Sequence, residues 1–345
     1  MRERGRRPRG DSRQEPLNTF LLVVVVAVAL SFDFTNGFHD TANYVATWVG
    51  TRALSPRKAV LVSAVANLAG AFVTTAVAKT VGKGLINTGL ATEKTVLAAL
   101  LGAIAWNLVT WYFGLPSSST HALIGGLVGA ALVQSGSAGV QWHGVWAKVV
   151  LPGLASPAIG FVGAFLLIVL IYRLFFRVSP GVAHRGFRLG QLATGTWVAF
   201  THGANDAQKT MGVIALALYT NGNISSFYFP TWVKIAAGVT IAAGTYAGGW
   251  RIIRTLGQRI YKLQPEHGFA AQLSAGSTLW LGTHYGFPIS TTHVVTGAVL
   301  GAGATRRFSA IRWGLAGNIV VAWVLTLPAA GLVAAAFYFP VRWIF

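Results

Sequence analysis

Two short phrases carry the polar chemistry of an otherwise apolar chain. "GLPSSSTH" at Gly114–His121 and "GFPISTTH" at Gly286–His293 set Ser117, Ser118, Ser119 and Thr120, and Ser290, Thr291 and Thr292, directly after a Gly-x-Pro turn. A proline suits the first turn of a helix and not its interior. Each phrase therefore predicts a helix N-terminus, with free backbone N–H groups and the positive end of a helix dipole. Capping such a terminus takes one hydroxyl. The surplus donors predict an anion cradle in each phrase, the two facing one site.

The acids are few. Of eight Asp and Glu, three lie in the N-terminal tail, and Glu93 and Glu266 lie in polar stretches. Asp33, Asp40 and Asp206 remain within apolar surroundings. An ionisable group at membrane depth costs about 2.5–3.5 kcal/mol on insertion scales, so it serves a pathway or a partner. Asp40 lies in "GFHD" and Asp206 in "GAND", Gly-containing phrases that predict breaks in their helices. A buried Asp can also simply cap a helix, but a matched pair favours function. Asp33 has no such mate, because Ala199 stands opposite, and its role stays open between function and structure.

Two carboxylates repel a fully ionised anion. Either a cation binds between them, or the anion brings protons that they accept as hydrogen bonds. Phosphate near neutral pH carries protons and sulfate does not, so acceptors beside donors favour phosphate. Asp40, Asn43, Asn205 and Asp206 also supply hard oxygens for a cation such as Na+ or for a proton relay.

The elements that hold these groups are membrane elements. Residues are 54% hydrophobic and only 10% charged, against about 25% charged in soluble domains. Apolar stretches recur at 17–34, 59–77, 96–113, 145–171, 189–200, 233–250 and 313–339. With a span needing about 20 residues, roughly 10–12 membrane-embedded helices or half-helices are expected. The net charge of +19 lies in short runs between these stretches, as in loops that meet lipid headgroups, which argues against nucleic-acid binding. The absence of cysteine excludes disulfides and thiolate chemistry. The Arg-rich start and "AVA" at Ala27–Ala29 mimic a secretory signal. Asp33 and Asn36 follow too closely, within the functional pattern, for removal to be expected.

The chain is also a tandem repeat. "GFHD" maps to "GAND" at an offset of 166 residues, and Pro56 and Gly70 map to Pro230 and Gly244 at 174. The segment 114–129 maps to 286–301 at 172, with seven of sixteen positions identical. The expected organisation is a basic tail (1–16), a first repeat (17–172), a basic connecting loop (173–188) and a second repeat (189–345). Duplication with Gly/Pro-interrupted helices points to a transporter whose site lies where the halves meet.

At these residues the sequence resembles the PiT family of inorganic phosphate transporters. "NGFHDTANYVATWVGTRALSPRKAV" (36–60) and "THGANDAQKTMGVIALAL" (201–218) are similar to its two signature segments, and "PSSSTH" and "PISTTH" to its paired re-entrant hairpins. The match covers nearly everything after residue 17. The resemblance implies an all-α membrane protein with two inverted repeats, broken helices and two re-entrant hairpins, in a homodimer with a scaffold part and a moving part. It implies a multi-pass protein of the cytoplasmic membrane that carries phosphate in symport with Na+ or H+, without a further cofactor or a resident metal. Some relatives carry a neutral metal–phosphate complex, and some carry sulfate. By position it assigns substrate and cation contacts to Asp40, Asn43, Asn205 and Asp206. Phosphate contacts fall to Ser117, Ser118, Ser119, Thr120, Ser290, Thr291 and Thr292. The chain departs from the symmetric pattern at Lys209, the mate of Asn43. An ammonium there is expected to occupy the space of one co-transported cation; the alternative is a lysine that snorkels to an interface.

Two other functions fit less well. A channel needs a continuous polar path, whereas the polar residues converge on one level. A hydrolase needs Ser, His and Asp within hydrogen-bond reach in distinct roles, and a doubled arrangement gives it nothing. No enzymatic activity is expected. His121 and His293 read as buried, hydrogen-bonded structural histidines.

Overall fold

The computed structural model describes residues 14–254, 263–306, 309 and 311–345. The arginines of the tail and most of the 251–262 basic run lie outside the described residues.

The first half comprises α1 (Gln14–Gly50), α2 (Pro56–Gly70), α3 (Ala76–Lys83), α4 (Glu93–Phe113), α5 (Ser119–Ser135), α6 (Trp142–Val145) and α7 (Leu151–Leu174). A π-helical turn at Trp146–Val150 joins α6 to α7. The second half comprises α8 (Pro180–Thr220), α9 (Thr231–Ala247), α10 (Trp250–Arg254), α11 (Pro265–His284), α12 (Thr291–Ala304) and α13 (Trp313–Ile344). Among the described residues, five stretches are long and apolar enough to cross a membrane: Thr19–Gly50, Glu93–Phe113, Ser119–Gly139, Trp142–Leu174 and Trp313–Ile344. The outer faces of α7 and α13 expose large apolar side chains such as Leu154, Leu166, Val324 and Leu332, a surface suited to lipid. The chain is a multi-pass membrane protein.

Local chemistry explains the helix ends. Pro56, Pro180 and Pro265 sit in the first turns of α2, α8 and α11, where the missing N–H costs nothing. Thr92 and Thr95 form a capping box at the start of α4. Gly114 and Gly286 adopt φ of 66° and 70° and turn the chain after α4 and α11. That left-handed conformation favours glycine, so these glycines make the hairpins α4–α5 and α11–α12.

The two halves pack reciprocally. α5 lies on α13 while α12 lies on α7, and α1 lies on α9 while α2 lies on α8. The contacts are close enough to exclude side chains. A Cβ on Gly125 would come within 2.2 Å of the Leu327 carbonyl, and one on Gly297 within 2.3 Å of the Pro157 carbonyl. These small-residue faces let backbones meet without lipid between them.

Four expectations need correction. The helices run unbroken through Gly37–Asp40 and Gly203–Asp206; the breaks fall at Gly114 and Gly286 instead. Gly37 and Gly203 serve close packing, since a Cβ on each would strike the carbonyls of Ile241 and Asn67. The proline of each hydroxyl phrase lies two residues before the N-cap, not in the first helical turn. Residues 180–188, read as loop, are the first turns of α8. The stretch 59–77 is divided near Gly70 into α2 and the start of α3.

Candidate functional site

α1 and α8 each carry a polar stripe at helical spacing. On α1 it is Asn36, Asp40 and Asn43; on α8 it is His202, Asp206 and Lys209. Steps of four and three residues put all three members on one helix face. The two stripes face each other across the α1–α8 contact, and all six side chains are buried. The hairpin tips at the starts of α5 and α12 close on them.

The contacts cross in matched pairs. The first member of each stripe reaches the aspartate of the other. Asn36 Nδ2 donates to Asp206 Oδ2 at 3.2 Å, and His202 Nε2 stands 3.8 Å from Asp40 Oδ2. The last member reaches the opposite hairpin. Asn43 Nδ2 donates to Thr292 Oγ1 at 3.0 Å, and Lys209 Nζ donates to Thr120 Oγ1. Each aspartate also meets its own half's hairpin. Ser119 Oγ donates to Asp40 Oδ2 at 3.0 Å, and Thr291 Oγ1 to Asp206 Oδ1 at 3.5 Å. Thr292 Oγ1 lies 3.5 Å from Asp40 Oδ1 and ties the second hairpin to the first stripe. Thr120 Oγ1 lies 3.4 Å from the Ile289 carbonyl, so the tips touch.

Lys209 does not snorkel. It is 1% exposed, and its Nζ lies 2.7 Å from Asp206 Oδ1. A buried ammonium tolerates this place because a carboxylate and a hydroxyl accept from it. Its mate Asn43 carries no charge, so stripes alike in spacing differ in electrostatics.

The remaining hydroxyls divide by task. Ser118 and Ser290 are N-caps, accepting from the amides of His121 and His293. Ser117 donates to Thr110 Oγ1 at 2.8 Å, away from the aspartates. Asn205 Nδ2 donates to Thr283 Oγ1 and the Phe287 carbonyl, holding the base of the second hairpin. The structure thus brings Asp40, Asn43, Asp206, Lys209, Ser119, Thr120, Thr291 and Thr292 together, and sets Ser117, Ser118, Ser290 and Asn205 around them as support. The amides of Ser119, Thr120, Thr291 and Thr292 belong to first turns, which lack intrahelical acceptors.

Sequence reasoning left out Asn36, His39 and His202 as site members. His39 Nδ1 lies 2.8 Å from Asp40 Oδ1. His202 Nδ1 donates to Asn67 Oδ1 at 2.6 Å, which turns Nε2 toward both carboxylates, 3.8 Å from Asp40 and 3.6 Å from Asp206. Asn67 also donates to Tyr44 and Thr245, so the orienting group is itself fixed. The signal was present in the sequence: Asn36 and His202 each precede an aspartate by four residues, one helical turn. His121 and His293 fit the structural reading only in part. Their rings meet at 4.7 Å, and His293 stacks on Trp323 at 4.1 Å. His293 Nε2, however, has no hydrogen-bond partner among the described residues.

Comparison with known proteins follows the same residues. The pattern of the phosphate transporter family matches residues 36–334. A protein of Rhizobium meliloti named "Probable low-affinity inorganic phosphate transporter" is 51% identical over 321 residues, covering 92% of this chain and 96% of the relative. Proteins of the same name in Mycobacterium tuberculosis H37Rv and Bacillus subtilis are 50% and 42% identical over 328 residues. Those alignments cover 93% and 94% of this chain, and 78% and 98% of the relatives. A solved structure described as "The sodium-dependent phosphate transporter" superposes with a TM-score of 0.87 at 26% identity, covering 94% of this chain and all of the other. The relatives are named as transporters rather than enzymes. On the extent of these matches, the chain belongs to the phosphate transporter family.

Proposed function

We propose that this protein carries inorganic phosphate across the cytoplasmic membrane by alternating access, as a symporter coupled to Na+ or H+ and as a homodimer. It is built from two inverted repeats, 17–172 and 189–345, joined through 173–188. The reciprocal packing of α5 on α13 and α12 on α7 supports the duplication. The observation that carries the substrate is the meeting of two hydroxyl-bearing helix N-termini with two aspartates at one buried spot. Ser119, Thr120, Thr291, Thr292 and the first-turn amides donate to phosphate oxygens. Asp40 and Asp206 accept from its protonated oxygens, which sulfate lacks. Lys209 supplies a fixed positive charge in the place of one coupling cation. Asp40, Asn43, Asn205 and Asp206 offer oxygens to any other.

A second reading has its own observation. Asp40, His202 and Asp206 each present a ligand atom, all within 4.8 Å of one another. With Nδ1 donating to Asn67, a neutral His202 offers the Nε2 lone pair to a cation between the carboxylates. A cargo of phosphate with a divalent metal suits that trio.

The test is radiolabelled phosphate uptake into proteoliposomes under separate Na+ and H+ gradients, with Asp40→Asn and Asp206→Asn as controls. Saturable uptake driven by one gradient, lost in both variants and resistant to excess sulfate, is expected. Uptake of radiolabelled divalent metal in step with phosphate would favour the second reading. Uptake that sulfate blocks would make the substrate a broader class of oxyanion.

A further inference from the structure

Asp33 stands outside the network described above. It lies on α1 one turn before Asn36, in line with the Asn36–Asp40–Asn43 stripe. It is fully buried. Among the described residues neither carboxyl oxygen has a hydrogen bond of ordinary geometry, and the polar group close enough to act on it is the Thr210 hydroxyl of α8, itself without another partner there. Ala29, one turn earlier on α1, and Ile214, one turn after Thr210, are fully buried and apolar. A bare carboxylate in such a setting bears a large desolvation cost unless it gains a partner or a proton. No ammonium or guanidinium forms an ion pair with it among the described residues.

The partner is not a metal cation. Hard divalent cations take a shell of about six or more oxygens, and the one neutral side chain that acts on the carboxyl among the described residues is the Thr210 hydroxyl. Lys209, one residue before Thr210, repels a further cation. A proton needs no shell: a protonated carboxyl donates one bond, and the Thr210 hydroxyl can accept it.

We propose that Asp33 is the proton carrier of the transport cycle. This rests on the phosphate-symport reading and names the coupling group within it. One proton passes from water on the entry side to the Asp33 carboxyl and back to water on the exit side. The charged groups that act on Asp33 are Asp206 and Lys209, both on α8. The titratable residues of α2, α4 and α9 lie in terminal turns: Arg57 and Lys58, Glu93, Lys94 and Tyr112, and Lys234 and Tyr246. His121 and His293, at the starts of α5 and α12, face each other. An anion bound at Lys209 adds negative potential at Asp33 and favours the protonated carboxyl. Its departure leaves the lysine's field to favour release. By linkage the coupling is mutual, so the proton strengthens anion binding as the anion strengthens proton binding.

The test uses the full chain in proteoliposomes. Asp33→Asn holds the neutral form permanently. Expected for this variant are retained phosphate–phosphate counterflow and the loss of accumulation driven by an inwardly directed proton gradient. An indicator in the lumen should report proton entry with phosphate in the wild type and none in the variant. Accumulation at the wild-type ratio in Asp33→Asn overturns the proposal. So does loss of counterflow in a folded variant, which would make Asp33 a binding group. If Asp33→Asn does not fold, infrared difference spectra of the wild type decide. A carboxyl C=O band that responds to phosphate and shifts in Asp33→Glu supports the assignment, and its absence overturns it. Wild-type protein without phosphate counterflow would instead refute the phosphate reading itself.

Discussion

The stripe on α1 and the stripe on α8 have the same spacing, the same depth and matched partners, yet different electrical character. Asn36–Asp40–Asn43 contains one acid and two amides, and Asp33 adds a second acid one turn away. His202–Asp206–Lys209 contains one acid and two basic side chains, and Ala199 stands where Asp33 would be. The matched spacing and partners give the two stripes one geometry, while their residue types divide the chemistry between them. One half holds the spare carboxyl, and the other holds a fixed ammonium. On the symport proposal the arrangement is economical, because a lysine that stays with the protein would replace a cation that otherwise moves with the cargo.

The largest expected effect separates the two aspartates. Asp206→Asn leaves Lys209 buried without its acid, and removing one partner of a buried pair costs about 3–5 kcal/mol. Asp40→Asn leaves one acceptor oxygen where Ser119 and His39 had one each, and costs roughly 1–3 kcal/mol. Thermal unfolding in detergent should therefore rank Asp206→Asn well below Asp40→Asn, and Asp206→Asn with Lys209→Asn should recover most of the difference. Equal loss in both single variants would mean that the ion pair does not distinguish the stripes.

Lys209→Asn makes the last positions of the stripes alike. Sodium should then fill the vacated charge and stimulate phosphate uptake about tenfold, the ratio that corresponds to ~1.4 kcal/mol. Uptake with the wild-type ion requirement would show that the lysine does not stand for a cation.

The smallest effect tests where the halves are equal. Ser118→Ala and Ser290→Ala each remove one cap and should each cost about 1 kcal/mol, with transport retained. A folded variant with wild-type stability and no transport would put that serine in contact with the cargo.

The fold was legible wherever local chemistry dominates. Apolar length marks the spans, and Gly114 and Gly286 mark turns because a left-handed φ needs glycine. Gly37 and Gly203 misled for a related reason: glycine also permits close helix contact, and nothing local separates a break from a packing face. The aspartates, hydroxyls and Lys209 stood out by type and repetition. His202 and Asn36 did not, because offsets counted along the sequence hide what a helical turn places on one face.

By itself the sequence determined the solvent, the recurring phrases, the acids and the donor clusters, since these depend on residue type, order and helical period. Tertiary structure alone decided the division of labour. Ser118 and Ser290 cap while Ser119 and Thr291 reach the aspartates, Lys209 turns inward to Asp206, and Asp33 is left without an ion-pair partner among the described residues. Those outcomes depend on which helix faces meet across the two halves, at distances of a few ångströms that no spacing along the chain encodes.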